Sequence, residues 1–249
     1  MKARDPLACR RLPRSRSARV AIMATAVLIS GCTLFPASPG RAWYQLEDAR
    51  AAARGQGSEA TATTAKRKGA ETPDTANAAP SGAVSGLTLV LTPLQANALY
   101  DGTGIVHGRA TGLRSTYQYA NWTERPSRRL VELLDARLNA RDADLRRFAT
   151  VATEASGVKA DWVLGLRIVE FFHDTSSDPD RAIVDIDAEL VDWRSKSLID
   201  RRRFRIEQPL PSEDVEGAVD ALGRASSTLL DRLVAWLDAK AARSASDPR

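Results

Sequence analysis

The segment Arg181–Asp192 constrains the fold more than any other stretch of this chain. Ala182, Val184, Ile186, Ala188 and Leu190 fall on one parity, and Asp185, Asp187 and Glu189 on the other. Side chains alternate across a β-strand with a period of two, so this segment predicts a strand with one apolar and one acidic face. A sheet that is wet on one side favours antiparallel pairing. The expected hairpin partner is Leu198–Gln208, with Phe204 and Ile206 inward and Arg201, Arg203 and Arg205 outward, opposite the acidic stripe. Opposite charges paired across strands contribute about 0.2–1 kcal/mol each. A solvated sheet face is the simpler reading of the arginine run; a phosphate or lipid-headgroup site is the alternative.

Other elements follow from the same patterns. Leu87–Leu91 alternates like a strand, and Gly104–His107 and Ser115–Ala120 are short strand candidates between glycine turns. Pro126 opens a helix with Leu130, Val131, Leu133, Leu134 and Leu138 on one face. Arg147–Thr153 reads as a further strand. Trp162–Phe172 reads as another, with Leu164, Leu166, Ile168 and Phe172 on one face. Ser212 stands as N-cap of a long last helix, with Glu213 and Asp214 in its first turn and Val215, Ala218, Val219, Leu222, Leu229, Leu230, Leu233, Val234 and Leu237 at helical spacing. The expected fold class is α+β: a single domain, an antiparallel sheet with two main helices packed on one face.

The N-terminus has a different character. Residues 1–19 are basic, and Val20–Ser30 is an uncharged apolar run of 11 residues. A membrane-spanning helix needs about 20, so the run reads as the core of an export signal. Ile29-Ser30-Gly31-Cys32 ends it with small residues before a cysteine, which predicts lipidation of Cys32. Cys32 after an ordinary secretory signal cleaved near Ala37 is the other reading. Cys9 lies in the segment that would be removed, so Cys32 would be the mature chain's one thiol, and lipidation accounts for its lack of a partner. Thr33 in place of Asp favours the outer membrane, with the domain facing the periplasm.

Charge sharpens this division. The chain of 249 residues has a formal net charge of +5. Residues 1–31 carry seven positive side chains and one negative, which leaves residues 32–249 at −1. The basicity belongs to the leader, and nucleic-acid binding is not expected. The expected organisation is a signal peptide at 1–31, a lipidated N-terminus and possible first strand at 32–46, a low-complexity disordered linker or insert at 47–86, an α+β domain at 87–241 and a disordered tail at 242–249.

No Gly-x-Ser-x-Gly elbow, His-Glu-x-x-His pair or phosphate-binding Gly-Lys loop occurs. His107 and His173 are far apart in sequence, and His173-Asp174 sits at a strand end where a turn role is simpler than catalysis. No catalytic, cofactor-binding or metal residues are expected, and the chain is not expected to be an enzyme. Trp122 is the candidate interface residue, because aromatic anchors dominate contact surfaces; packing against the helix after Pro126 is the competing role.

The order of these motifs resembles that of the ABC-type transport auxiliary lipoproteins, the PqiC-like family. Trp43-Tyr44-Gln45-Leu46 looks like its aromatic-rich strand after the lipidated cysteine, and Leu87–Leu91 like its next strand. Gly104-Ile105-Val106-His107 sits where the family has a Gly-Ile-Val-Tyr-like segment. Tyr119-Ala120-Asn121-Trp122, followed by Pro126 and a leucine-rich helix, is the most distinctive match. The strands at 162–172 and 181–192, Phe204-Arg205-Ile206 and the last helix complete the set. The chain departs from the family at His107, where an aromatic is usual, and in the length of 47–86. The resemblance implies a non-catalytic outer-membrane accessory of a lipid transport system. Its partners would be an MCE-domain protein and an ABC permease and ATPase, and it would form a homo-oligomer that receives the end of an MCE tube. If Trp43–Leu46 is a strand of the sheet, 47–86 is a loop within the domain and the tether shortens to 33–42.

Overall fold

Around the strand expected at 181–192, a computed structural model of the chain builds a mixed sheet under two helices. The structure describes residues 40–50, 85–109, 112–142 and 145–246. The chain divides into two units, Met1–Gly40 and Arg41–Arg249. Of the first, only Gly40 is described, so the export signal and Cys32 lie outside the described residues.

In chain order the elements are β1 (Ala42–Tyr44), β2 (Ser85–Pro93), β3 (Gly104–Gly108), β4 (Ser115–Trp122), α1 (Pro126–Asn139), β5 (Phe148–Thr153), β6 (Trp162–Asp174), β7 (Arg181–Asp192), β8 (Ser197–Pro209) and α2 (Val215–Ser246). β6 is the axis. Along one side it pairs antiparallel with β7 from Trp162↔Asp192 to Asp174↔Arg181, and β7 pairs antiparallel with β8. Its other side is shared. β2 pairs parallel with its first part, from Leu89↔Trp162 to Pro93↔Leu166, and β3 pairs parallel with its end at His107↔His173 and Gly108↔Asp174. β5 lies parallel outside β2, β4 antiparallel outside β3, and β1 parallel outside β4. The α+β class with two helices stands, and antiparallel pairing holds for β3–β4 and β6–β7–β8. The remaining pairs, β1–β4, β2–β5, β2–β6 and β3–β6, are parallel, each between strands joined through a long connection and not through a hairpin.

Both helices lie on one face. α1 packs on β2, β5 and β6; α2 packs on β6, β7 and β8 and touches α1. Leu164, Leu166, Ile168, Val184, Ile186, Leu190, Phe204 and Ile206 meet Leu130, Leu134, Leu138, Leu222, Leu229, Leu233 and Leu237 in one core. Each such side chain contributes about 1.5–3 kcal/mol on burial. Pro126 starts α1, where its missing N–H has no helical partner to lose.

Three expectations change, and one alternative is decided. A bulge in β6 leaves Val169 without a partner between Ile168↔Ile186 and Glu170↔Asp185. The extra residue flips parity, so Phe171, opposite Val184, joins the core face, and Phe172, opposite Ile183, turns to the other. There the Arg114 guanidinium sits 3.7 Å from the Phe172 ring centre. α2 is capped by Asp214 and not by Ser212: the Gly217 N–H donates to Asp214 Oδ1 at 2.7 Å, and the Ser212 hydroxyl only braces that carboxylate. α2 also continues through Ser246, so 242–246 are helical and not tail. Finally, β1 is a strand of the sheet, which makes the stretch from Gln45 to Val84 a connection between two strands of one domain. Of that stretch, 51–84 lie outside the described residues.

Candidate functional site

The parallel pairing of β3 with β6 brings together two residues that the sequence separates. His107 and His173 are direct partners across the ladder. β4 adds Tyr117, whose ring centre is 4.6 Å from that of His107. His173 is 2 % exposed, and both of its ring nitrogens are engaged. Nδ1 lies 2.6 Å from the Tyr117 hydroxyl, and Nε2 lies 2.8 Å from Asp180 Oδ2. With Asp180 ionised, Nε2–H donates to it and Nδ1 accepts from the tyrosine. Burial first, and then electrostatic interaction with the neighbouring His173 ring, hold His107 below the ordinary imidazole value. Burial first, then Asp180, Asp214 and Glu216, push the Tyr117 phenol up to about 12.

The last two carboxylates stand at the start of α2, where the Tyr44 hydroxyl of β1 also donates to Glu216 Oε1 at 2.8 Å. The Tyr117–His173–Asp180 relay thus fastens β4 to β6 and to the turn before β7, and beside it the Tyr44–Glu216 bond fastens β1 to α2. The relay is closed, because a histidine with both nitrogens occupied and no exposed edge offers no base to a substrate. Asp174 beside it has the expected turn role. Its carboxylate accepts from the Ser176 backbone N–H and hydroxyl and from Arg181 Nε at 3.0 Å. Burial alone would raise Asp174, but these bonds hold it below the usual carboxylate range.

The arginine run of β8 is matched to the acids of its neighbours. Arg205, Arg203 and Arg201 stand opposite Asp185, Asp187 and Glu189, as the alternation predicts. Asp185 is 1 % exposed and accepts from Arg203 Nε and Nη2 at 2.8 and 2.9 Å and from Arg205 Nη1 at 3.0 Å. Arg205 also reaches Glu170 at 2.6 Å, and Arg201 reaches Glu189 at 2.9 Å. Burial pushes Asp185 up, but the two guanidinium groups outweigh it and leave its carboxyl below the usual range. These three arginines are engaged within the sheet, which favours the charged-face reading over a headgroup site.

A second ionic knot ties the segment after β1 to both helices. Arg137 of α1 donates through Nε to Asp48 Oδ2 at 3.0 Å and pairs with Asp231 of α2. The Ser227 hydroxyl donates to Asp48, and the Ala49 N–H donates to Ser227 Oγ, both at 2.8 Å. A cleft of about 820 Å³ beside this knot is lined by Arg137, Arg141, Asp231 and Asp238 as well as Leu133 and Val234. Among the described residues no group of three or more potential ligands is placed to hold a metal ion.

Trp122 does not serve as a surface anchor. It is 1 % exposed and meets Phe171 edge-on, with ring centres 6.0 Å apart. The geometry supports a packing role, with Phe171 of β6 as the ring it meets. The exposed aromatics of this edge are Trp43, at 56 %, and Tyr119, at 43 %, which the sequence reading used only as strand markers. No described helix is long and apolar enough to cross a membrane.

Comparison with known proteins agrees with this fold. A Xanthomonas campestris protein of the DUF330 group is 19% identical, with a TM-score of 0.58 over 68% of this chain and 94% of its own. A second, uncharacterized protein is 12% identical, with a TM-score of 0.52 over 80% of this chain and 99% of its own. At these identities the likeness is one of fold. No curated protein sequence matches the chain. The description "ABC-type transport auxiliary lipoprotein component" matches residues 70–234, about two thirds of the sequence. The chain belongs to the family of ABC-type transport auxiliary lipoprotein components.

Proposed function

We propose that the protein is an outer-membrane lipoprotein, anchored through Cys32 and facing the periplasm. There it serves as a non-catalytic accessory of an ABC/MCE-type system that moves phospholipid between the inner and outer membranes. Family membership carries the reading. The export segment ending at Cys32 supports the anchor, and Thr33 supports the outer membrane. The closed His173 relay fits a role in holding strands together and not in turnover. Energy for transport would come from the ATPase of the inner-membrane partner, and the protein would act as a homo-oligomer that receives an MCE-domain protein.

The test is purification of the protein from its own membranes under mild cross-linking. An MCE-domain protein together with a permease and an ATPase is the expected set. Cell-wall enzymes in their place, with phospholipid distribution unchanged on deletion, would replace this reading with that of an envelope-assembly scaffold. Separately, Cys32→Ala should abolish labelling with radioactive palmitate and leave the domain folded. Labelling that survives would remove the anchor.

A further inference from the structure

The edge formed by β1 and β4 exposes two aromatic side chains, Trp43 and Tyr119. Trp43 lies beside Asn121 in the β1–β4 register, two residues along from Tyr119. β1 runs parallel to β4, so its N-terminal end points toward the start of β4, where the β3–β4 connection carries Leu113 at 69 % exposure. Trp43, Tyr119 and Leu113 are therefore spread along one edge, with Arg41 and Arg109 exposed at the same end. The other exposed tryptophan, Trp193, differs in having a cover: the Lys196 ammonium lies 3.1 Å from its ring centre. Trp43 has no ring or cation partner among the described residues.

We propose that this edge is a bilayer-docking surface, on which Trp43 and Tyr119 enter the headgroup region of the membrane that holds the anchor. The inference rests on lipidation of Cys32. Ten residues separate Cys32 from Trp43, eleven steps along the chain and a reach of at most about 40 Å when fully extended. An anchor that close turns contact between the edge and the lipid into an intramolecular step with high effective concentration. Tryptophan and tyrosine suit such an interface because each has an apolar body and one polar group. Arg41 and Arg109 add attraction to anionic headgroups. A protein partner for the same aromatics is the competing occupant; the short covalent link to a lipid favours the bilayer.

The experiment uses the chain from Cys32 onward, which keeps every described residue and a single cysteine. Cys32 is coupled to a maleimide phospholipid in vesicles of phosphatidylethanolamine and phosphatidylglycerol doped with brominated phosphatidylcholine. Bromine quenches only tryptophan that enters the bilayer. The expected result is a loss of about one fifth of the emission, one tryptophan of five. That loss should disappear in Trp43→Phe, persist in Trp193→Phe and shrink in Tyr119→Ala. Quenching that is absent, or equal in Trp43→Phe and the parent, overturns the proposal. So does a Trp43→Phe variant that sheds a co-purifying protein while the parent is not quenched, which would assign the edge to that protein. Mass analysis of Cys32 from cells tests the natural anchor independently, so its failure is distinguishable from failure of the docking surface.

Discussion

Asp185 allows a sharp test of which side of an ion pair holds the sheet together. Its carboxylate is 1 % exposed, while the side chains of Arg203 and Arg205 are 57 % and 42 % exposed. The two ways of breaking the ladder therefore differ. In Arg203→Met/Arg205→Met the aliphatic cover over Asp185 is kept while both guanidinium groups are lost, and a covered carboxylate without its partners costs about 3–5 kcal/mol. In Asp185→Asn the guanidinium groups swing into water, and the loss is confined to hydrogen bonds to a charged group, about 1.5–3 kcal/mol at most. The arginine double variant should be the less stable by about 2 kcal/mol in urea unfolding at pH 7, with an unchanged denaturant slope.

The pH dependence follows with a definite sign. In the parent, Asp185 titrates below its unfolded value, so its contribution is present above about pH 4 and lost as pH falls through the folded value. In the arginine double variant burial acts unopposed and raises the carboxyl. The folded state then takes up a proton sooner than the unfolded chain, and the variant recovers stability between pH 7 and pH 4. The gap between the two variants should narrow over that range. A gap that is absent, reversed or independent of pH would refute the assignment of the buried charge.

Other consequences are as direct. His107 is held neutral in the fold, and the unfolded chain gains a proton below about pH 6.5, so the melting temperature should fall from pH 7 to pH 5. His107→Phe should flatten part of that slope, and parallel slopes would show that His107 is not responsible. Trp122→Ala should cost about 3–5 kcal/mol, and a loss below about 1 kcal/mol would contradict its place in the core. Asp214→Ala should lower the melting temperature more than Ser212→Ala does, and the reverse order would return the cap to Ser212. At Gly108, with φ of +149°, an added Cβ would lie 2.1 Å from the Leu113 carbonyl oxygen, so Gly108→Ala should cost about 1–3 kcal/mol in unfolding experiments.

What was legible in the sequence was what repeats locally. The period of two in 181–192 and 201–205 predicted not only two strands but the opposition of Arg205, Arg203 and Arg201 to Asp185, Asp187 and Glu189. The apolar spacing of both helices was equally plain. Partner choice was not legible, because it is decided far away in the chain. Nothing near Trp162–Asp174 says that β2 and β3 share one side of β6, and so nothing joined His107 to His173. The available signal was slight: each histidine is the penultimate residue of an apolar strand. Val169 defeated the alternation because a single inserted residue exchanges the faces of everything after it, placing Phe171 where Phe172 was expected. Ser212 and Asp214 are both good cap residues in the sequence, and only the fold shows that the Gly217 N–H reaches Asp214.

The two-rung junction between β3 and β6 has a mechanical consequence. β1, β4 and β3 form a flap whose ladder meets the rest of the sheet only at His107↔His173 and Gly108↔Asp174. Chain tension entering at Arg41 arrives on β1, at the far margin of that flap. Pulled along the strand, the three rungs of β1 on β4 share the load in shear. Pulled across it, the load is shared by the two rungs of β3 on β6, the Tyr117–His173–Asp180 relay, the Tyr44–Glu216 bond and the Asp48 knot. For a domain towed by its N-terminus, the relay, the Tyr44–Glu216 bond and the Asp48 knot are together the weld between the hitch and the hull.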